Sequence, residues 1–140
     1  MKHLIGAIIL LVISFVLLIC SPVLASTESD INNVRVKSGL PALTIYAGLQ
    51  QSAKDKVLDE IAHNYFAHTS PAGKSFSWFI QNKGIKYSIC GEILAKNYSG
   101  QALINAWLNS PTHKDIIMDK NFKKIGCYQK SGLTACHFIR

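Results

Sequence analysis

Carboxylates are scarce in this chain of 140 residues: eight Asp and Glu stand against fifteen Lys and Arg, for a formal net charge of +7. The excess of base is not gathered into a tract. Lys54, Lys56, Lys83, Lys86, Lys96, Lys114, Lys123 and Lys124 are scattered, with no interleaved aromatics, so nucleic-acid binding is not expected. The short signatures of common catalysts are missing: there is no HExxH, no CxxC and no GxSxG. Repeats and low-complexity tracts are absent too, which leaves room for one domain. Charged residues are few, at 16%, while apolar residues make up 49%, a balance that excludes disorder as the main state. Beyond Cys20 no apolar run approaches the length a bilayer demands, which excludes a multispan membrane protein.

The one long apolar run is at the start. Lys2 and His3 precede Leu4 to Cys20, broken only by Gly6 and Ser14, and Pro22 ends it. Val23-Leu24-Ala25 then offers small or medium side chains where a signal peptidase reads. This is the layout of a secretory signal peptide, residues 1–25, cut after Ala25. An uncleaved anchor is the alternative, because the run is close to spanning length. A lipoprotein reading through Cys20 is opposed by the bulk of Ile19. Either way the working part, 26–140, lies outside the cytoplasm, secreted or at the envelope.

Cys90, Cys127 and Cys136 remain after such a cut, and an exported chain can keep disulfides. If Ser131-Gly132 is a two-residue hairpin turn, counting outward sets Cys127 opposite Cys136 in a non-hydrogen-bonded pair. There Cα atoms approach to about 4.5 Å, within the range a disulfide tolerates. Cys127–Cys136 is therefore the preferred bridge, with Cys90 free; bridges from Cys90 to either partner stay open.

Asp30 is placed to cap a short helix through Lys37, ended by Gly39 and Pro41. Thr44 is placed to cap a longer one running to about Tyr65, with Tyr46, Leu49, Ala53, Val57 and Ile61 as its buried stripe and Lys54, Asp55, Asp59 and Glu60 on the wet side. A turn-rich loop follows over 67–73, then a short helix near 76–82 with Ser75 as cap and Gly84 past its end. Tyr87 to Ala95 reads as a strand, Gln101 to Asn109 as a helix with Trp107 in the core, and His113 to Met118 as another turn of helix. Lys124 to Gln129 and Leu133 to Ile139 form a closing hairpin. The order predicts an α+β domain with helices packed on a small, mainly antiparallel sheet.

Chemistry concentrates in few side chains. The only glutamate beyond the second helix is Glu92, and His68 and His113 sit in a loop and at a helix start, where side chains can point into a cleft. Two imidazoles and a carboxylate can bind zinc and leave a position for water, or form a network in which Glu92 orients a histidine. His63, on the long helix, reads as a surface or flank residue.

These residues fall within a recognisable pattern. The run Asn64-Tyr65-Phe66-Ala67-His68-Thr69-Ser70-Pro71-Ala72-Gly73 resembles the bacterial, SCP-like extracellular form of the CAP superfamily, which contains cysteine-rich secretory proteins, venom antigens and plant pathogenesis-related proteins. Leu40-Pro41-Ala42-Leu43 is similar to the entry to the family's second helix, and Cys90-Gly91-Glu92-Ile93 resembles its GEN strand. Trp107-Leu108-Asn109-Ser110-Pro111-Thr112-His113-Lys114 resembles its W-x-x-S-P-x-H-R element, and Phe122-Lys123-Lys124-Ile125-Gly126 a later strand. The match runs from about residue 31 to 139. The resemblance implies a three-layer α-β-α sandwich with a central antiparallel sheet and a cleft lined by His68, Glu92 and His113, sometimes holding a divalent metal, often zinc. Three departures stand out. Ile93 replaces a usual Asn, Ser110 stands where eukaryotic members carry a second glutamate, and Leu133-Thr134-Ala135-Cys136 lacks the His and Gln of eukaryotic members. His137 is placed to fill part of that role, depending on strand register.

Three functions follow as expectations. The first is a non-enzymatic module that binds an envelope or extracellular ligand. The second is a zinc-dependent hydrolase or peptidase with His68, Glu92 and His113 as ligands activating a water. The third, which the resemblance adds, is lipid or sterol binding, with Phe76, Trp78, Phe79 and Tyr98 as candidate groove linings. No cofactor is required by the sequence itself; zinc or another divalent metal is the one the site allows. No nucleic-acid partner is expected, and the protein is expected to act as a monomer.

Overall fold

The computed structural model describes residues 25–140; the leader expected over 1–25 lies, up to residue 24, outside the described residues. Four strands form one sheet: β1 (Thr44–Ile45), β2 (Cys90–Lys96), β3 (Lys124–Lys130) and β4 (Leu133–Ile139), in the order β1-β3-β4-β2. β4 runs antiparallel to both of its neighbours, and the two-residue β1 adds a parallel edge to β3. Being central, β4 is buried along its whole length. The β3–β4 turn is made by Ser131 and Gly132, both at positive φ, 51° and 76°, which gives the ribbon the twist a two-residue hairpin needs. That turn sets Cys127 opposite Cys136 with Cα atoms 4.1 Å apart, and their sulfurs are bonded. Cys90 is free and half-buried.

Strand alternation sorts the core into two faces. Ile93, Ala95, Ile125, Cys136 and Phe138 pack with α1 (Thr27–Lys37), α4 (Gly100–Leu108) and α5 (Pro111–Ile117). On the other face Leu94, Leu133 and Ala135 meet Ala53 and Val57 of α2 (Ala47–His63), with α3 (Phe76–Gln81) alongside. The result is an α-β-α sandwich with a largely antiparallel sheet in the middle. Two polar contacts tie the first face together. Trp107 is buried and its indole Nε1 donates to Leu94 O at 2.9 Å. Buried Arg35 donates through Nη1 to Ile117 O at 2.7 Å and Asp119 O at 2.9 Å, supplying donors to the end of α5 where carbonyls lose their helical partners.

Several local expectations are corrected. Helix α1 begins at Thr27, because Ser26, not Asp30, is its cap: Ser26 Oγ accepts from Ser29 N at 3.2 Å. Thr44 lies in β1 instead of capping a helix, since main-chain pairing with β3 claims that segment, with Thr44 N donating to Lys123 O and Tyr46 N to Ile125 O, each at 2.9 Å. Helix α2 therefore starts at Ala47 and ends at His63, where Asn64 turns left-handed at φ 49°. β2 begins at Cys90 and not at Tyr87. Of the expected stripe, Leu49, Ala53 and Val57 are buried, but Tyr46, which precedes α2, and Ile61 are exposed, and Glu60, expected on the wet side, is buried. The row Ser52, Lys56, Glu60, spaced by four, is buried beside the apolar stripe.

Helix α2 lies unusually close to the sheet at one point. A Cβ on Gly126 would overlap the main-chain atoms Gln50 N and Leu49 C. Backbone cannot yield as a side chain does, so glycine is required there by space and not by conformation. Gly126→Ala is expected to destabilise the fold by about 3 kcal/mol or more, read as a drop in the denaturant midpoint; a midpoint close to wild type would show that α2 can move off β3.

Candidate functional site

The close approach at Gly126 sets the site. Gly126 stands opposite His137 in the β3–β4 register, and Glu92 stands opposite His137 on the other side. Ser52, two to three residues along α2 from the contact, comes to lie over the His137 ring, with Oγ 2.7 Å from Nδ1. His137 Nε2 is 2.9 Å from Glu92 Oε2, and Glu92 Oε1 is 2.7 Å from His68 Nδ1. An ionised carboxylate only accepts, so the ring nitrogens facing Glu92 carry the protons. His68 is thereby fixed with Nε2 turned away from Glu92, and His137 meets Ser52 Oγ through Nδ1 while the Ser52 hydroxyl also reaches Leu49 O at 2.9 Å.

The loop carrying His68 is held from beneath. Buried Lys56 donates to Glu60 Oε1 at 2.9 Å and to Ala67 O, one residue before His68. Its ammonium also lies 4.5 Å from the centre of the Tyr65 ring, whose hydroxyl donates to Asp59 Oδ2 at 2.7 Å. A bridge between Thr69 and Ser75 closes the loop, and Phe76 packs against both the His68 and His137 rings. Burial lifts the Glu60 carboxyl above its ordinary range. The hydrogen bond to Glu92 raises His68 above the ordinary imidazole value. His113 is pushed the other way, by burial and by the nearby His68 charge.

Serine, histidine and glutamate linked in that order are the parts of a nucleophilic triad. Here Ser52 and His137 are each 0% exposed, so no substrate carbonyl reaches the hydroxyl. The network is interior scaffolding that ends at His68, whose side chain is 56% exposed. His113, at the start of α5, is not brought onto Glu92. Its Nδ1 is 2.7 Å from Ser110 Oγ, and it lines a cavity of about 300 Å³ together with Phe66, Leu94, Lys96, Tyr98 and Trp107. Among the described residues no three His, Cys, Asp or Glu side chains gather to hold a metal ion. Both Glu92 oxygens face histidines, His68 and His137, while His113 is hydrogen-bonded to Ser110.

The candidate groove aromatics are dispersed as well. Phe79 is core; Trp78 lies edge-on to it with the Lys74 ammonium 4.4 Å from its own ring centre; Phe76 sits by the histidines; Tyr98 alone of the four lines the 300 Å³ cavity. His63 is exposed and pairs with Asp59. Sequence reasoning missed Ser52 and Lys56 altogether. The signal that would have found them is the i, i+4 polar row beside an apolar stripe, too regular for a solvated face.

The family model of the cysteine-rich secretory protein family matches residues 29–132. The chain is 38% identical over 103 residues to the uncharacterized protein YkwD of Bacillus subtilis, a match covering 72% of this chain and 40% of that one. The chain thus spans about two fifths of that relative's length. Among solved structures, an extracellular protein containing an SCP domain from Bacillus anthracis superposes with a TM-score of 0.77 at 25% identity, covering 81% of this chain and 38% of the other. An outer surface protein from Borrelia burgdorferi superposes with a TM-score of 0.76 at 27% identity, covering 81% of this chain and 88% of the other.

The opposed shifts of the two imidazoles have a readable consequence. In a proton-detected titration, His68 is expected to give up its proton above the ordinary imidazole range and His113 below it, and Glu92→Gln should bring His68 down. The stability that the His68–Glu92 contact contributes is full below the ordinary imidazole range and is lost as pH rises through the raised His68 midpoint, while the His113 contribution runs the opposite way, lost as pH falls. Two coincident titrations would show that Glu92 does not hold His68.

Proposed function

The chain belongs to the cysteine-rich secretory protein family, and from that premise we propose that it is an extracytoplasmic binding module that takes up a ligand in the cleft around His68, Glu92 and His113 without transforming it. The observation that carries this reading is the burial of Ser52 and His137 behind Glu92. The one hydroxyl hydrogen-bonded to the histidine network faces the core, and what reaches solvent is an imidazole held rigidly by its carboxylate. Such a fixed group suits recognition, because little conformational freedom is lost when a ligand docks. The other serine–histidine contact, Ser110 Oγ to His113 Nδ1 at the cavity wall, has no carboxylate hydrogen-bonded behind its imidazole among the described residues, which also disfavours a hydrolase. The expected signal peptide over 1–25 and the extracellular and outer-surface relatives support a working place in or beyond the envelope.

The test uses the full-length protein beside His68→Ala and His113→Ala. Each is sedimented with isolated cell envelopes and incubated with peptide and ester substrates. Wild type is expected to co-sediment, each substitution to weaken that by about tenfold, and no variant to turn over substrate. Turnover that His68→Ala abolishes, or co-sedimentation indifferent to both substitutions, overturns the reading.

A further inference from the structure

The sheet ends at β2, and part of that edge has nothing to pair with. Asn97 N donates to Gly132 O at 2.7 Å and Arg140 N to Ile89 O at 3.1 Å. In an antiparallel ladder direction alternates, so odd-numbered residues of β2 turn their main-chain groups to β4, and Glu92, Leu94 and Lys96 turn theirs outward. The Trp107 indole meets the outward Leu94 carbonyl, in keeping with that direction. Among the described residues nothing is hydrogen-bonded to the N–H of Leu94 or to the N–H and C=O of Lys96. The opposite edge is treated differently: β1 covers part of β3, and Glu28 Oε1 accepts from Cys127 N at 2.9 Å. Proteins generally cover or charge such edges; at 94–96 the main chain is uncovered and Lys96 is the one charge it carries.

That stretch floors the 300 Å³ cavity, a volume at the lower end of ligand sites. Phe66 stands on the α2 side, Trp107 and His113 on the other. Phe66 and Tyr98 at its mouth are 43% and 48% exposed. A second cavity of about 330 Å³ meets the first at Phe66 and Lys96 and extends to Glu60 and Tyr65. Lys96 and the chain's net charge of +7 favour an acidic partner.

We propose that the ligand of this cleft is an extended, acidic polypeptide segment that adds to the outer edge of β2, pairing with Leu94 and Lys96 and seating an apolar side chain between Phe66, Tyr98 and Trp107. The proposal rests on the reading of the protein as a binding module and names its partner's chemistry. A polypeptide offers N–H and C=O groups at the repeat the edge demands; an acyl chain would leave Leu94 N–H and both Lys96 groups unpaired against it, at a cost in free energy.

A randomised hexapeptide display library is selected on the full-length protein, and the tightest binder is synthesised with each backbone nitrogen methylated in turn. Methylation of the one nitrogen that donates to Lys96 O is expected to weaken binding by about tenfold, the loss of one hydrogen bond, and methylation of its two neighbours to leave it unchanged. Amide exchange at Leu94 and Lys96 should slow when the peptide is bound. Lys96→Pro, which removes the edge donor at a place where proline is tolerated, should weaken binding similarly, whereas Lys96→Ala keeps the donor. A library without binders, or a binder indifferent to methylation and to Lys96→Pro, overturns strand addition. If envelope binding still depends on His68 and His113, the module reading survives that result; if envelope binding is also absent, both fail.

Discussion

The site depends on how closely α2 can approach the sheet. At Gly126 no side chain stands between helix backbone and strand, and this contact sets the height at which the next turn of α2 crosses β4. Ser52 then arrives within a hydrogen bond of His137, which pushes the imidazole toward Glu92, and Glu92 in turn reaches out of the core to His68. Each bond in the chain is ordinary in strength. Their order is what matters, because the buried polar groups satisfy one another from the core outward, and an interior network of this kind specifies a single arrangement only when each member is partnered. The exposed imidazole therefore inherits its orientation from a steric fact two elements away.

Two edges of one sheet are handled in opposite ways. On the β3 side, β1 and a buried glutamate from α1 take up donors along the first part of the strand. On the β2 side a tryptophan takes one carbonyl and the rest opens onto a cavity. The same cavity receives His113 from α5 and Phe66 from the loop after α2, so both helical layers contribute to its walls while the sheet supplies its floor. The cleft is thus a seam of the sandwich, where the layers part at the end of the sheet.

Much of this was legible in the residues. The hairpin was readable because Ser131-Gly132 permits few turn geometries, and the turn fixed the register that sets Cys127 opposite Cys136. His68 and Glu92 stood out because they were polar groups at places where side chains point inward or into loops. What escaped was tertiary. Thr44 carries a good cap side chain, but two main-chain bonds to β3 outweigh one cap. Glu60 reads as solvated by helical phase alone; it is buried because Lys56 stands one turn earlier and the two charges neutralise each other under a folded-back loop. Spacing along the chain does not say that His137, directly across the ladder, is hydrogen-bonded to Glu92.

The bond between Cys127 and Cys136 lies one residue from His137 along β4. It pins the strand pair where the histidine needs its height and register. Such a link survives where thiols are oxidised and is undone where they are kept reduced. The ribbon beneath the innermost histidine is therefore sensitive to compartment: where thiols are kept reduced, the same sequence would hold β3 and β4 there by main-chain bonds alone, with a looser seat for the imidazole.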